Sequence, residues 1–242
     1  ELGGKSPNIV FADSDFETAV DNALTAAFTH SGQVCSAGCR AIVQDEIYDR
    51  FVEEIARRAD RIKLGAGLDD TTETGALISA DHRAKVEAHV ASAIAEGARL
   101  VAGGRRPTEP ELEDGYYYRP TVFADCTTSM AIVQQEVFGP VLTIERFSTE
   151  EEAIALGNDT TYGLAGAVWT ADAGRAQRVA GRLRHGTVWI NDYNTYLPQA
   201  EWGGFKQSGI GRELGVTGLD EYREAKHIWQ NTSPGPSGFS SC

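Results

Sequence analysis

The chain alternates short apolar runs with amphipathic stretches, and this alternation limits the folds open to it more than any other feature. Ile9-Val10-Phe11, Ala41-Ile42-Val43 and residues 141–147, 165–170 and 186–191 each have the length and the β-branched or aromatic content of a strand. Between them the spacing turns helical. Val20, Ala23, Leu24 and Ala27 fall at i, i+3, i+4 and i+7, and Asp13 or Asp15 is placed to cap a helix running on through His30. Tyr48, Phe51, Val52, Ile55, Ala59 and Ile62 mark a second amphipathic helix. Further helices are expected over residues 80–96, 149–157 and 173–183, and a further strand over residues 116–123, whose three tyrosines suit a half-buried sheet. Strands separated by helices of about ten to fifteen residues predict an α/β fold, an open and largely parallel sheet flanked by helices. Ligands of such sheets gather beyond the carboxyl ends of the strands, and Asn191 stands at one such end.

At 242 residues, 41% of them hydrophobic, the chain is long enough to bury a large core. A formal net charge of -13 with no run of four basic residues excludes a nucleic-acid partner, because neutralising phosphates needs a basic face. No apolar stretch approaches the roughly 18–20 residues that cross a bilayer, and the first residues form no basic-then-apolar leader, so a cytoplasmic location is expected. Cys35, Cys39, Cys126 and Cys242 have no disulfide-framework spacing. The CxxxC pair has no second Cys or His pair beside it, and the histidines at 30, 82, 89, 185 and 227 form no HExxH pattern. No metal site is expected, and the histidines are read as surface or helix-face residues.

Chemistry concentrates in two loops. In Ser31-Gly32-Gln33-Val34-Cys35-Ser36-Ala37-Gly38-Cys39-Arg40 a thiol among small residues follows an apolar helical run and is closed by an arginine. A helix-end turn with nearby cations favours the thiolate, which makes Cys35 the candidate nucleophile. A small packed cysteine is the plainer alternative. Glu1-Leu2-Gly3-Gly4-Lys5-Ser6-Pro7 combines a carboxylate, two glycines and a proline, and reads as a tight loop.

Together the two loops resemble the paired glutamate and cysteine signatures of the aldehyde dehydrogenase superfamily. The resemblance extends to about residue 232 and includes Glu136-Val137-Phe138-Gly139-Pro140, Asn158 with Tyr162-Gly163-Leu164, the 186–191 strand and Gly203-Gly204-Phe205-Lys206-Gln207-Ser208-Gly209. It implies a catalytic domain over residues 1–224 and an oligomerisation strand over 225–232; the Pro-, Gly- and Ser-rich composition of residues 233–242 predicts a disordered tail. With a catalytic loop at the first residue, the chain is expected to be a fragment of a larger enzyme whose dinucleotide-binding half lies upstream and without which it is inactive. The implied reaction is NAD(P)-dependent oxidation of an aldehyde to a carboxylate through a Cys35 thiohemiacetal and thioester, with Glu1 as the base for the hydrolytic water and the Cys35 N–H as an oxyanion donor.

By the same resemblance Glu136 meets the nicotinamide ribose hydroxyls, Phe138 lies beside the nicotinamide, Leu2 contacts the cofactor, and Trp202 and Tyr196 line the aldehyde tunnel. Pro198-Gln199-Ala200-Glu201-Trp202 is similar to the segment of betaine-aldehyde-type members. Aromatic faces suit a quaternary ammonium group, and Glu201 adds a negative field. Glu213 stands where some members relay protons, with an ion pair to Arg212 as its alternative. Cys39 is expected to be packed or exposed, and able to trap Cys35 as a disulfide under oxidation. The expected partners are a small-molecule aldehyde and further copies of the chain, without nucleic acid or membrane. Two other readings are a cysteine acyl-transfer or thioesterase-like enzyme without redox chemistry, against which the 136–140 loop speaks, and a non-catalytic assembly module.

Overall fold

A computed structural model describes residues 1–238. Seven strands, β1 (Pro7–Val10), β2 (Arg40–Gln44), β3 (Arg99–Ala102), β4 (Thr121–Ala124), β5 (Val141–Phe147), β6 (Ala165–Trp169) and β7 (Thr187–Ile190), form one sheet in the order β3-β4-β5-β2-β1-β6-β7. Every neighbouring pair is parallel except β3–β4, which is antiparallel. The helices are α1 (Phe16–Phe28), α2 (Asp45–Ala59), α3 (Ala80–Ala95), α4 (Ala131–Gln134), α5 (Glu150–Asn158), α6 (Ala173–Arg182) and α7 (Gly215–Asp220).

Both faces of the central strands are covered, which is why they read as unbroken apolar runs. The two-residue alternation sends Val10, Ala41 and Val43 into a cluster with α1 and α2, and Ile9, Ile42 and Val168 into an opposite cluster with α5 and α6. A third cluster, beneath α3 and α4, gathers Val86, Val90, Phe123, Ile132, Val133 and Val137.

Several expectations change. Asp15 caps α1 by accepting from the Thr18 N–H at 2.8 Å, whereas Asp13 accepts from the Thr170 hydroxyl and pairs with Arg175. The helix stops at Phe28 instead of running through His30. The expected strand over residues 116–123 shrinks to β4: Pro120 lacks an N–H for the ladder, Tyr118 turns into the third cluster and Tyr116 stays exposed. Residues 225–232 are exposed and pair with no strand among the described residues, and 233–238 are likewise outside helices and strands. Positions 239–242 of the expected tail, with Cys242, lie outside the described residues.

His185 is buried, contrary to the surface reading. Burial and the charges of Lys206 and Arg40 push its pKa down to about 3, so the fold holds it neutral. The unfolded chain binds a proton there below about pH 6.5, so this contribution is complete above that pH and is lost as pH falls toward 3. Urea unfolding between pH 6.5 and 5.5 is expected to show stability falling by up to about 1.4 kcal/mol per pH unit from this group, a slope that His185→Gln removes.

Candidate active site

The loops that carry Glu1, Cys35 and Glu136 lead into the amino ends of strands: residues 1–6 into β1, 33–39 into β2 and 135–140 into β5. The site is therefore at the end of the sheet opposite to Asn191. The Asn191 side chain instead staples β7 to β6, accepting from the Thr170 N–H and donating to the Thr170 carbonyl, both at 3.0 Å.

Cys35 is set by a reversal after α1. His30, Ser31 and Gly32 follow one another at φ 51°, 58° and 68°. Two non-glycine residues in this region cost about 1–3 kcal/mol each, which the surrounding bonds must offset. Ser31 N–H donates to Thr74 Oγ1 at 3.0 Å, Ser31 Oγ to the Gly75 carbonyl at 2.6 Å, and Thr74 Oγ1 to the Phe28 carbonyl at 3.0 Å. Gly32 has no substitute, since a Cβ there would stand 2.1 Å from the Gly139 carbonyl oxygen. The turn then closes with Ala37 N–H on the Val34 carbonyl and Gly38 N–H on the Ala26 carbonyl, both at 3.0 Å, leaving Cys35 half-buried.

The 1–6 loop lies against this turn. Leu2 N–H donates to the Ser208 carbonyl at 2.9 Å and Ser208 Oγ to the Gly3 carbonyl at 2.7 Å, while a Cβ on Gly4 would meet the Cys35 carbonyl at 2.6 Å. These contacts bring the Glu1 carboxylate to the Cys35 thiol. Burial, then the hydrogen bond and charge of Glu1, push the thiol up to about 12, while the N–H groups of Ser36 and Cys35 pull the other way. The expectation of nearby cations is thus overturned. Arg40 is fully buried, donating through Nε and Nη2 to Glu145 at 2.8 and 3.0 Å and through Nη2 to the Leu156 carbonyl at 3.0 Å. A carboxylate faces the sulfur, and the resting group is a thiol. Glu1→Gln is accordingly expected to raise the thiolate fraction near pH 8 and speed alkylation of Cys35 by iodoacetamide, measured by mass spectrometry; slower alkylation would contradict this electrostatic account.

Glu136 comes to the other side of the same loop. Its Oε1 accepts from the Gly4 N–H at 3.0 Å, and Oε2 lies where a Gly3 Cβ would be, at 2.2 Å; among the described residues Oε2 accepts no hydrogen bond. Burial raises its pKa above the usual carboxylate range, partly offset by the Gly4 N–H and Lys5. Gly4, Gly32, Val34, Cys39, Glu136 and Phe138 line one small cavity. Phe138, at φ 54°, presents a ring 38% exposed, and its carbonyl is bonded to His82 Nε2 at 2.6 Å. Leu2 is 62% exposed. An acceptor oxygen without a partner beside an exposed ring fits the hydroxyl-bearing, ring-bearing end of a dinucleotide.

Residues 192–205 fold back over Cys35. Trp202 is 9% and Tyr196 45% exposed, their rings 4.9 Å apart and edge-on, with Trp189 and Tyr193 packed behind them. Glu201 does not add its charge to this face; it turns toward α7 and accepts from the Thr217 hydroxyl at 3.3 Å. Glu213 lines a cleft of about 190 Å³ with Glu1, Trp202 and Glu221. Its alternative partner Arg212 is spent on the carbonyls of Gly204 and Gly211 and stacks over Phe205. A larger cleft of about 530 Å³ between α1, α2 and the loop before α3 contains none of the predicted site residues, although Phe28 and Thr74, which brace the Cys35 turn, border it.

The structure brings the predicted residues Cys35, Glu1, Glu136, Phe138, Leu2, Trp202 and Tyr196 to one end of the sheet; the roles assigned to them from sequence remain proposals. Sequence reasoning misses Ser208, Thr74, Ser36 and Tyr193. Ser208 carried a signal, as the one hydroxyl inside a glycine-rich motif; the others look like ordinary polar or aromatic residues until the chain is folded.

The aldehyde dehydrogenase family model matches residues 1–228. The chain is 62% identical over 234 residues to betaine aldehyde dehydrogenase of Bacillus subtilis, covering 97% of this chain and 48% of the relative. It is 44% identical over 229 residues to betaine aldehyde dehydrogenase of Brucella anthropi, covering 95% and 47%. Among solved structures, betaine aldehyde dehydrogenase from Staphylococcus aureus in complex with NAD+ superposes with a TM-score of 0.98 at 56% identity, covering 100% of this chain and 48% of that one. The chain spans about half the length of the curated relatives it matches. On the family model's span and on these identities, the chain belongs to the aldehyde dehydrogenase family.

Proposed function

We propose that this chain is the catalytic part of an NAD-dependent aldehyde dehydrogenase that converts betaine aldehyde to glycine betaine. The observation that carries the reading is the Glu1 carboxylate against the Cys35 thiol, with the Glu136–Phe138 cavity on one side and the Tyr196–Trp202 face on the other. The relatives named above support the substrate and the cofactor.

In this mechanism Cys35 gives up its proton to solvent and adds to the aldehyde carbonyl as the thiolate, forming a thiohemiacetal. The oxyanion is held by the Cys35 backbone N–H, which donates to no backbone carbonyl among the described residues. Glu136, Phe138 and Leu2 would hold the nicotinamide ribose and ring, and a bound NAD supplies the hydride acceptor that turns the adduct into a thioester. Glu1 then draws a proton from water as it attacks the thioester, releasing the carboxylate and the thiol; Glu213 borders the same cleft and would pass that proton outward. The faces of Tyr196 and Trp202 would hold a trimethylammonium group, each contributing about 0.5–2 kcal/mol.

The domain boundaries at 224 and 232 belong to this reading, with residues 225–232 pairing edge-to-edge with another subunit in an oligomer. A cytoplasmic location suits its free thiols at Cys35, Cys39 and Cys126; no helix among the described residues is long and apolar enough to cross a membrane. The test is NADH formation at 340 nm by the full-length protein with betaine aldehyde beside aliphatic and aromatic aldehydes. Highest kcat/KM with betaine aldehyde supports the proposal; preference for an uncharged aldehyde removes the substrate assignment. Ester hydrolysis that depends on Cys35, with no NADH from any aldehyde, favours acyl transfer instead.

A further inference from the structure

The residue after the nucleophile is held more tightly than any role given to it so far requires. Ser36 is fully buried, and three groups of the 192–196 segment converge on it. Tyr193 OH donates to the Ser36 carbonyl at 2.9 Å. Tyr196 OH and Ser36 Oγ share a hydrogen bond of 2.5 Å, and both hydroxyls reach Asn194 Oδ1, at 3.4 and 3.3 Å. Asn194 adopts φ 60°, a conformation asparagine tolerates, and this turns its side chain into the cluster. With Oδ1 as the one obligatory acceptor, the two hydroxyls form a directed chain ending on it. Ser36 is thereby fixed through its carbonyl and its side chain, while the N–H it contributes to the Cys35–Ser36 peptide donates to no backbone carbonyl among the described residues.

We propose that Ser36 is a positioning residue for Cys35, and that the Tyr196 hydroxyl, through Ser36, aims the Ser36 N–H at the sulfur while the Tyr196 ring faces substrate. This rests on the dehydrogenase reading only in naming Cys35 as the nucleophile. The ring and the hydroxyl of Tyr196 then have separable functions: the ring sets affinity for a cationic aldehyde, and the hydroxyl sets the readiness of the thiol. The Ser36 N–H lowers the thiol's pKa, the sign expected of a donor facing the sulfur. The charged or titratable groups facing the sulfur and its clamp are Glu1, Tyr196, Tyr193 and Cys39, and of these only Tyr196 is changed in the test while the ring is kept.

The experiment measures iodoacetamide alkylation of Cys35 in the full-length protein from pH 7 to 10, by mass spectrometry of the 31–40 peptide, for wild type, Tyr196→Phe, Ser36→Ala, Ser36→Thr and the Tyr196→Phe/Ser36→Ala double variant. Tyr196→Phe and Ser36→Ala are each expected to slow alkylation about three- to tenfold, the loss of one hydrogen bond's worth of orientation. Ser36→Thr, which keeps the hydroxyl, restores the rate, and the double variant is no slower than either single one. Inhibition by tetramethylammonium ion is expected to be unchanged in Tyr196→Phe. Unchanged alkylation in both single variants, or losses that multiply in the double variant, would overturn the proposal. Because alkylation needs neither aldehyde nor cofactor, a wild type that fails to make NADH sinks the dehydrogenase reading and leaves this test standing.

Discussion

Cys35→Ala is expected to cut aldehyde-dependent NADH formation by the full-length protein by about 10⁴-fold or more while leaving the fold intact. On the proposed mechanism, removing the covalent nucleophile leaves only the binding and oxyanion contributions. The other free thiols cannot replace it. Cys126 is 6% exposed inside the cluster beneath α3 and α4, and its own burial pushes it up to about 12. Cys39 lines the small cavity with Glu136 and Phe138 and lies near Tyr193. The paired control is therefore Cys39→Ala, which should retain turnover within a few-fold. Because the Cys35 side chain is half-buried and the turn after it is held by Gly38 N–H on the Ala26 carbonyl and by Tyr193 OH on the Ser36 carbonyl, the melting temperature should move little. Glu136 and Phe138 are untouched, so NAD binding by the Cys35→Ala protein, followed by fluorescence quenching, should match wild type. Substantial turnover surviving in Cys35→Ala would show that the sulfur performs no covalent step.

The largest effect on stability is expected from the Arg40–Glu145 ion pair, whose arginine closes the Cys35 segment. Glu145→Ala should destabilise the protein by about 3–5 kcal/mol in urea unfolding, because it leaves the Arg40 guanidinium buried with only the Leu156 carbonyl. Both partners are essentially inaccessible, with side chains 0% and 2% exposed, so solvent cannot screen or solvate the charge left behind. The double replacement Arg40→Met/Glu145→Leu should cost markedly less, since apolar residues of similar volume remove the desolvation penalty along with the attraction. A double variant as unstable as Glu145→Ala would mean that packing, and not an uncompensated charge, sets the loss. The pair matters to the site because Arg40 opens β2 directly after the Cys35–Cys39 turn. A weakened pair should therefore also slow alkylation of Cys35.

Much of this arrangement was legible before folding. Apolar runs marked β1, β2, β5, β6 and β7 within a residue or two because strands covered on both faces need uninterrupted hydrophobic residues. The spacing of Val20, Ala23, Leu24 and Ala27, and of Tyr48, Phe51, Val52 and Ile55, marked α1 and α2 because each helix buries one stripe. The 116–123 run failed because tyrosine is equally at home in a strand and in a loop that tucks one ring into the core. α4 is a single turn, too short to leave a periodic signal. The antiparallel β3–β4 pairing left no mark in either strand's residues.

At the site, the sequence by itself determined which groups are present: a thiol among small residues, a carboxylate on a glycine loop, a second carboxylate beside an exposed ring, and an aromatic segment after β7. Motif spacing could specify these because each is a local requirement, such as the αL position and close approach that only Gly32 permits. Only the tertiary structure decided their company. It placed Glu1 and not Arg40 against the sulfur, put the site at the amino ends of the strands, turned Glu201 away from Trp202 and buried His185 among cations. Those outcomes depend on which side chain reaches which across the sheet, and electrostatic energy depends on distance and burial, quantities that a linear order of residues does not contain.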